Sequence, residues 1–140
     1  MKKNILIVLI FTGSFILLFA TNIASRQLQN NGVNEISAPR LHQMMKEKDF
    51  TLVNVHIPYA GEIPQTDMLI PYNEIMGHLN ELPSKDKKIV LYCRSDRMSE
   101  IAAKELANAG YSNLYNLKGG MNAWEAAGYK LIDSVQIKTK

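Results

Sequence analysis

The residues predict an α/β protein, a parallel sheet flanked by helices on both faces. Two observations carry that expectation. The run Ile89-Val90-Leu91-Tyr92 is apolar at almost every position rather than at every second one, which is the pattern of a strand buried on both sides. Short runs of this kind alternate with helical stripes, and the stripe Ala102, Ala103, Leu106, Gly110 is small enough to lie very close to a sheet.

Taken in order, residues 35–37 form a short extended start. Ser37 can then cap a helix carrying Pro39 in its first turn, where a missing N–H is harmless. Leu41, Met44, Met45 and Lys48 fall at i, i+3, i+4 and i+7, so Leu41 and the methionines supply an apolar stripe and read as core. Residues 52–56 make a strand. A proline-rich loop runs on to Pro71 and ends in a brief strand at Met68-Leu69-Ile70. Residues 73–82 are predicted as a helix capped by Asn73, with Ile75, Leu79 and Leu82 facing inward. After a solvated turn at 85–88 come the buried strand and a helix opening at Ser99. The next strand is Leu114–Leu117, followed by a tight turn at Gly119-Gly120. Residues 121–127 form a short helix ended by Gly128, and 129–132 a last extended piece.

A chain of 140 residues has room for one domain. Its net charge of +3 suggests a nucleic-acid binder until the charge is located. Lys2, Lys3 and Arg26 lie in a stretch without acids, and the remaining 13 basic residues face 13 acidic ones. No nucleic-acid partner is expected. Lys2 and Lys3 precede an apolar run from residue 5 to 20, the pattern of a secretory signal or an N-terminal anchor. Residues 1–24 are therefore expected to be that segment, 25–34 a polar, amide-rich linker, 35–133 the folded domain and 134–140 a tail. Cleaved or retained as a membrane tether through residues 5–24, the segment places the domain outside the cytoplasmic membrane, in the periplasm or on the outer face.

The single cysteine rules out an intramolecular disulfide and zinc sites that need several cysteines. Cys93 stands at the end of the buried strand, with Ser99 opening a helix six residues later. The loop Cys93-Arg94-Ser95-Asp96-Arg97-Met98 is short enough to curl around the sulfur and turn backbone N–H groups inward. Those amides, the positive end of the helix, and Arg94 or Arg97 all favour a thiolate. A structural cysteine would sit inside the apolar run, so a reactive one is expected.

These residues resemble the rhodanese-like family. Leu91-Tyr92-Cys93-Arg94-Ser95 is similar to its strand into the active-site loop. The helix from Ser99 to Leu106, then Ala109-Gly110-Tyr111, is similar to the family's next helix. The segment from Asn113 through Gly119-Gly120 to Trp124 is similar to the family's ending. The resemblance implies a single-domain sulfurtransferase of the thiosulfate sulfurtransferase type, with Cys93 catalytic. Cys93 would take sulfane sulfur from a small anion such as thiosulfate and pass it as a persulfide to a thiol or cyanide. Arg94, Ser95, Asp96, Arg97, Met98, Ser99 and His56 would surround the substrate, with no cofactor, no metal and a monomeric chain. The alternative is a sulfur-carrier or binding domain with little turnover. Three departures stand out. Asp96 occupies a place where members commonly have glycine, Met98 one where they often have arginine, and Asn54 and His56 replace an aspartate and an arginine. A carboxylate at Asp96 could repel a thiolate, and its position could call for glycine's backbone freedom.

Other chemistries fit less well. A cysteine-dependent phosphatase needs an arginine where this chain has Ser99. No second cysteine stands at Cys-x-x-Cys spacing, and His42, His56 and His78 show no metal-ligand spacing with Cys93.

Overall fold

The computed structural model describes residues 32–133. Five strands form one sheet: β1 (Val33–Ile36), β2 (Thr51–Asn54), β3 (Met68–Leu69), β4 (Ile89–Tyr92) and β5 (Leu114–Leu117). Their order is β1-β5-β4-β2-β3, and every neighbouring pair is parallel. The α-helices are α1 (Ala38–Met44), α2 (Arg97–Asn108) and α3 (Gly120–Ala126). The expected parallel sheet with helices on both faces is what forms.

Strand alternation sorts the core into two layers. Ile89 and Leu91 of β4, followed by Cys93, pack with Ala102, Ala103 and Leu106 of α2. Val90 and Tyr92 point the other way, into a layer with Leu41 of α1 and with Met121 and Trp124 of α3. All four residues of β4 are buried, and full burial of an aliphatic side chain of this size contributes roughly 1.5–3 kcal/mol. The central strand is thus the best-anchored element, and it ends at the cysteine.

Local chemistry sets most of the remaining ends. The Ser37 hydroxyl accepts from the Arg40 N–H at 3.4 Å and starts α1, with Pro39 in the first turn. β1 opens at Val33, two residues before the expected start, because Val33 pairs with Leu114 at the sheet edge. α2 begins at Arg97 rather than Ser99, since the Asp96 carbonyl already accepts from the Glu100 N–H at 2.9 Å.

The helix expected over 73–82 is instead a short 3-10 turn at Ile75–His78. The Gly77 N–H bonds to the Glu74 carbonyl at 2.8 Å, three residues back, and the Glu81 N–H likewise to His78 at 3.0 Å. Gly77 in the middle and prolines at 71 and 83 leave too little good helix former to propagate an α-helix. Asn73 caps nothing there, yet Ile75 and Leu82 are buried as expected and Leu79 packs against them.

The membrane tether and the extracytoplasmic, periplasmic location require correction. No helix among the described residues is long and apolar enough to cross a membrane. The longest, α2, has 12 residues, or about 18 Å against the roughly 30 Å of a bilayer core. The segment 1–24, the linker as far as residue 31 and the tail 134–140 lie outside the described residues. Neither tether nor location is carried further.

Candidate active site

Cys93 follows β4 directly, so the alternation of that strand turns its side chain toward α2. The residue is only 1% exposed. Ser99, buried in the first turn of α2, brings its Oγ to 3.4 Å from Cys93 Sγ and 2.9 Å from the Asp96 carbonyl oxygen. A hydroxyl has one proton, which can serve either acceptor.

The loop after β4 is held from behind by α3. The Met121 N–H donates to the Cys93 carbonyl at 2.9 Å, and the Asn122 N–H to the Arg94 carbonyl at 3.0 Å. Backbone can approach backbone this closely only because residue 120 is glycine. Gly120 has φ of 54°, and a Cβ built there would stand 2.3 Å from the Cys93 carbonyl oxygen.

Asp96 occupies the N-cap position of α2 but does not cap it. Its Oδ1 accepts from the Gly119 N–H at 2.8 Å and from Asn116 Nδ2 at 3.3 Å. The carboxylate is therefore bound to the turn between β5 and α3. Its φ of 178° is extended backbone open to any residue, so the position does not call for glycine. Among the described residues, no backbone carbonyl accepts from the N–H groups of Arg94, Ser95 and Asp96, or from those of Arg97, Met98 and Ser99 in the first turn of α2. These donors and the positive end of the helix dipole belong to the residues that directly follow Cys93, a local setting that favours negative charge.

The other expected site residues divide by exposure. Arg94 and Ser95 on the loop and Arg97 at the start of α2 are exposed, whereas Met98 is half-buried against the α2 core layer. His56 lies just beyond β2, the neighbour of β4. Its N–H donates to Asn54 Oδ1 at 3.0 Å, and Asn54 Nδ2 donates to the Gly61 carbonyl at 3.2 Å. The His56 Nδ1 is buried with no hydrogen-bond partner. Burial, and after it the Arg94 guanidinium, hold the imidazole below its ordinary pKa of 6.5, so it favours the neutral form. A cavity of about 230 Å³ is lined by Arg94, Ala60, Met121, Asn122 and Glu125, among others.

Reading residues 93–99 alone misses Asn116, Gly119 and Gly120. The two that hold Asp96 come from 20 and 23 residues further along the chain. The visible signal was the double glycine after β5, which reads as a turn and gives no hint of what the turn touches.

Comparison with known proteins gives the same direction. The family model described as a rhodanese-like domain matches residues 37–127. A protein of Allochromatium vinosum named sulfurtransferase is 35% identical over 104 residues, which cover 71% of this chain and 95% of that one. Thiosulfate sulfurtransferase GlpE of Pseudoalteromonas translucida is 28% identical, covering 66% of this chain and 89% of that protein. The crystal structure of a rhodanese-like domain protein from Staphylococcus aureus superposes with a TM-score of 0.62 at 28% identity, covering 72% of this chain and 99% of that one. A buried cysteine after the central parallel strand, a glycine-dependent turn packed behind it and a family match across most of the described residues lead to one conclusion: this chain belongs to the rhodanese-like domain family.

Proposed function

We propose that this protein is a sulfurtransferase of the thiosulfate type that works through a persulfide on Cys93. The observation that carries the reading is the surroundings of the sulfur. Backbone N–H groups of residues 94–99, which meet no backbone carbonyl among the described residues, and the Ser99 hydroxyl at 3.4 Å are donors suited to a thiolate or a persulfide anion. In the first step the Cys93 thiolate attacks the outer sulfur of thiosulfate. A new S–S bond forms, the old one breaks, and sulfite leaves with the electron pair. In the second step an acceptor thiolate, or cyanide, attacks the outer sulfur of the persulfide and Cys93 departs as thiolate. No cofactor is needed for either displacement.

In this reading Arg94 on the loop and Arg97 at the start of α2, both exposed, draw the anionic donor in. Ser95 and Ser99 add hydroxyl donors, and neutral His56 stands beside Arg94. Asp96 positions the loop through Gly119 and leaves the thiolate unopposed, while Met98 supports the loop from the core.

A carrier with little turnover is favoured by one observation. Cys93 is 1% exposed, which slows approach of an acceptor larger than a small anion.

Intact mass of the protein after thiosulfate tests the proposal. A gain of about 32 Da, removed by an added thiol and absent from Cys93→Ser, is expected of covalent transfer at this residue. Cys93→Ser should retain the fold, because it changes one atom. A wild-type chain that never gains sulfur from any sulfane donor rejects the reading. One that gains sulfur but releases it slowly is the carrier.

A further inference from the structure

A second cavity of about 440 Å³ lies where α1, α3 and the loop after β2 meet. No residue of the Cys93–Ser99 stretch lines it, so it is separate from the sulfur site. Three rings border it. His42 and Tyr129 stack with centroids 4.2 Å apart and planes 8° from parallel, and Trp124 lies 4.6 Å from Tyr129 at a 45° tilt. The Trp124 Nε1 donates to the Lys130 carbonyl at 3.1 Å, which satisfies the indole's polar edge and holds residue 130 at the wall.

Charge narrows the occupant. The lining includes Lys46 and Lys130 and no carboxylate, so it complements an anion. Gln65, also in the lining, holds φ of 64°. That left-handed conformation is uncommon outside glycine and tends to gather at ligand clamps. The volume falls in the range of small-molecule sites.

We infer that this cavity binds an aromatic carboxylic or sulfonic acid of one or two rings. The ligand's ring packs against the His42–Tyr129 stack beside the buried Trp124, and the acid group turns toward Lys46 and Lys130. A neutral aromatic forgoes the lysines, and a saturated acid forgoes the ring contacts. Both should bind worse than a ligand with both features.

The chain has one tryptophan, and it borders the cavity, so its emission reads occupancy directly. The full chain is titrated with benzoate, benzyl alcohol and cyclohexanecarboxylate, following Trp124 emission with calorimetry as a second readout. Benzoate should bind saturably, about tenfold or more tighter than the other two. Lys46→Gln and Lys130→Gln, both surface changes, should each weaken benzoate roughly two- to fivefold. Cys93→Ser should bind it like wild type, which keeps this result independent of sulfur transfer. The inference is overturned by absence of saturable binding in both readouts, by equal binding of the three probes, or by lysine variants that bind benzoate unchanged.

Discussion

The loops that follow β4 and β2 leave the carboxyl ends of two neighbouring parallel strands, yet they are fastened by different means. After β4, main chain holds main chain: the carbonyls of Cys93 and Arg94 accept from N–H groups of α3. After β2, Glu62 and Ile132 exchange backbone bonds at 2.9 and 2.8 Å, and side chains do the rest of the holding. The Tyr92 hydroxyl accepts from the Ile63 N–H at 3.0 Å and lies 2.6 Å from Thr66 Oγ1. Asn54 bonds to Gly61, and Asp67 Oδ2 accepts from the Leu52 N–H at 2.7 Å. Backbone fastening sets the path of the Cys93 loop, with Asp96 adding a side-chain tie to Gly119 and Asn116, and leaves Arg94, Ser95 and Arg97 exposed. Side-chain fastening makes the other loop depend on a few individual residues.

The sharpest way to break the first kind of fastening is Gly120→Ala. The added carbon would collide with backbone on the Cys93 side and sit at an unfavourable φ. A loss of about 3 kcal/mol or more is expected from overpacking and left-handed strain together, with sulfur transfer falling even in the folded fraction. Urea denaturation and persulfide formation on the same sample measure both. Stability within about 0.5 kcal/mol of wild type would show that the contact relaxes easily.

Tyr92→Phe attacks the second kind. Burial pushes the Tyr92 phenol pKa well up, so the hydroxyl is neutral and hydrogen-bonded, and removing it orphans the buried Ile63 N–H. The expected cost is about 1–3 kcal/mol. Because Tyr92 faces the layer opposite Cys93, persulfide formation by the folded protein should be nearly unchanged. A loss of transfer equal to that of Gly120→Ala would erase the distinction between the two loops.

A smaller effect is expected from Asp96→Ala, which removes the side-chain tie from the Cys93 loop to Gly119 and Asn116. The site is partly exposed, so about 1–1.5 kcal/mol is reasonable. The Cys93 alkylation profile against pH should stay near wild type, because the carboxylate is turned to Gly119. A large downward shift of that profile would mean that the carboxylate does act on the sulfur.

The smallest effect is a pH dependence from His56. Its native pKa is below 6.5, so the unfolded chain takes up the proton more readily. The contribution to stability is complete above pH 6.5 and is lost as pH falls toward and through the lowered native value. Denaturation midpoints between about pH 7 and pH 5 should therefore fall more for wild type than for His56→Gln. Parallel curves would remove His56 from the account.

Local pattern made β4, α1 and the alanine face of α2 legible in the residues, because apolar spacing and a serine cap act within one or two turns of chain. The position of Cys93 followed from the same spacing. What escaped depends on contacts between distant residues. The direction of the Asp96 carboxylate is decided by the Gly119 N–H, and nothing near residue 96 announces that partner. The start of β1 is set by pairing with β5. The 3-10 turn at Ile75–His78 buries the side chains an α-helix would have buried, so the apolar pattern could not tell the two apart. Met98, read as a missing arginine, fills core space instead, which the spacing along α2 could have suggested.

The Cys93 and Arg94 carbonyls find their partners at Met121 and Asn122, nearly thirty residues later. On a ribosome, β4 and its cysteine emerge well before those partners exist. The sheet interior can begin to assemble while the Cys93 loop still lacks its backing, so the carboxyl end of the strand is completed only as the carboxyl-terminal portion arrives. In this protein the proposed site at Cys93 is among the last parts of the molecule to be finished, although the strand that carries it is the middle of the sheet.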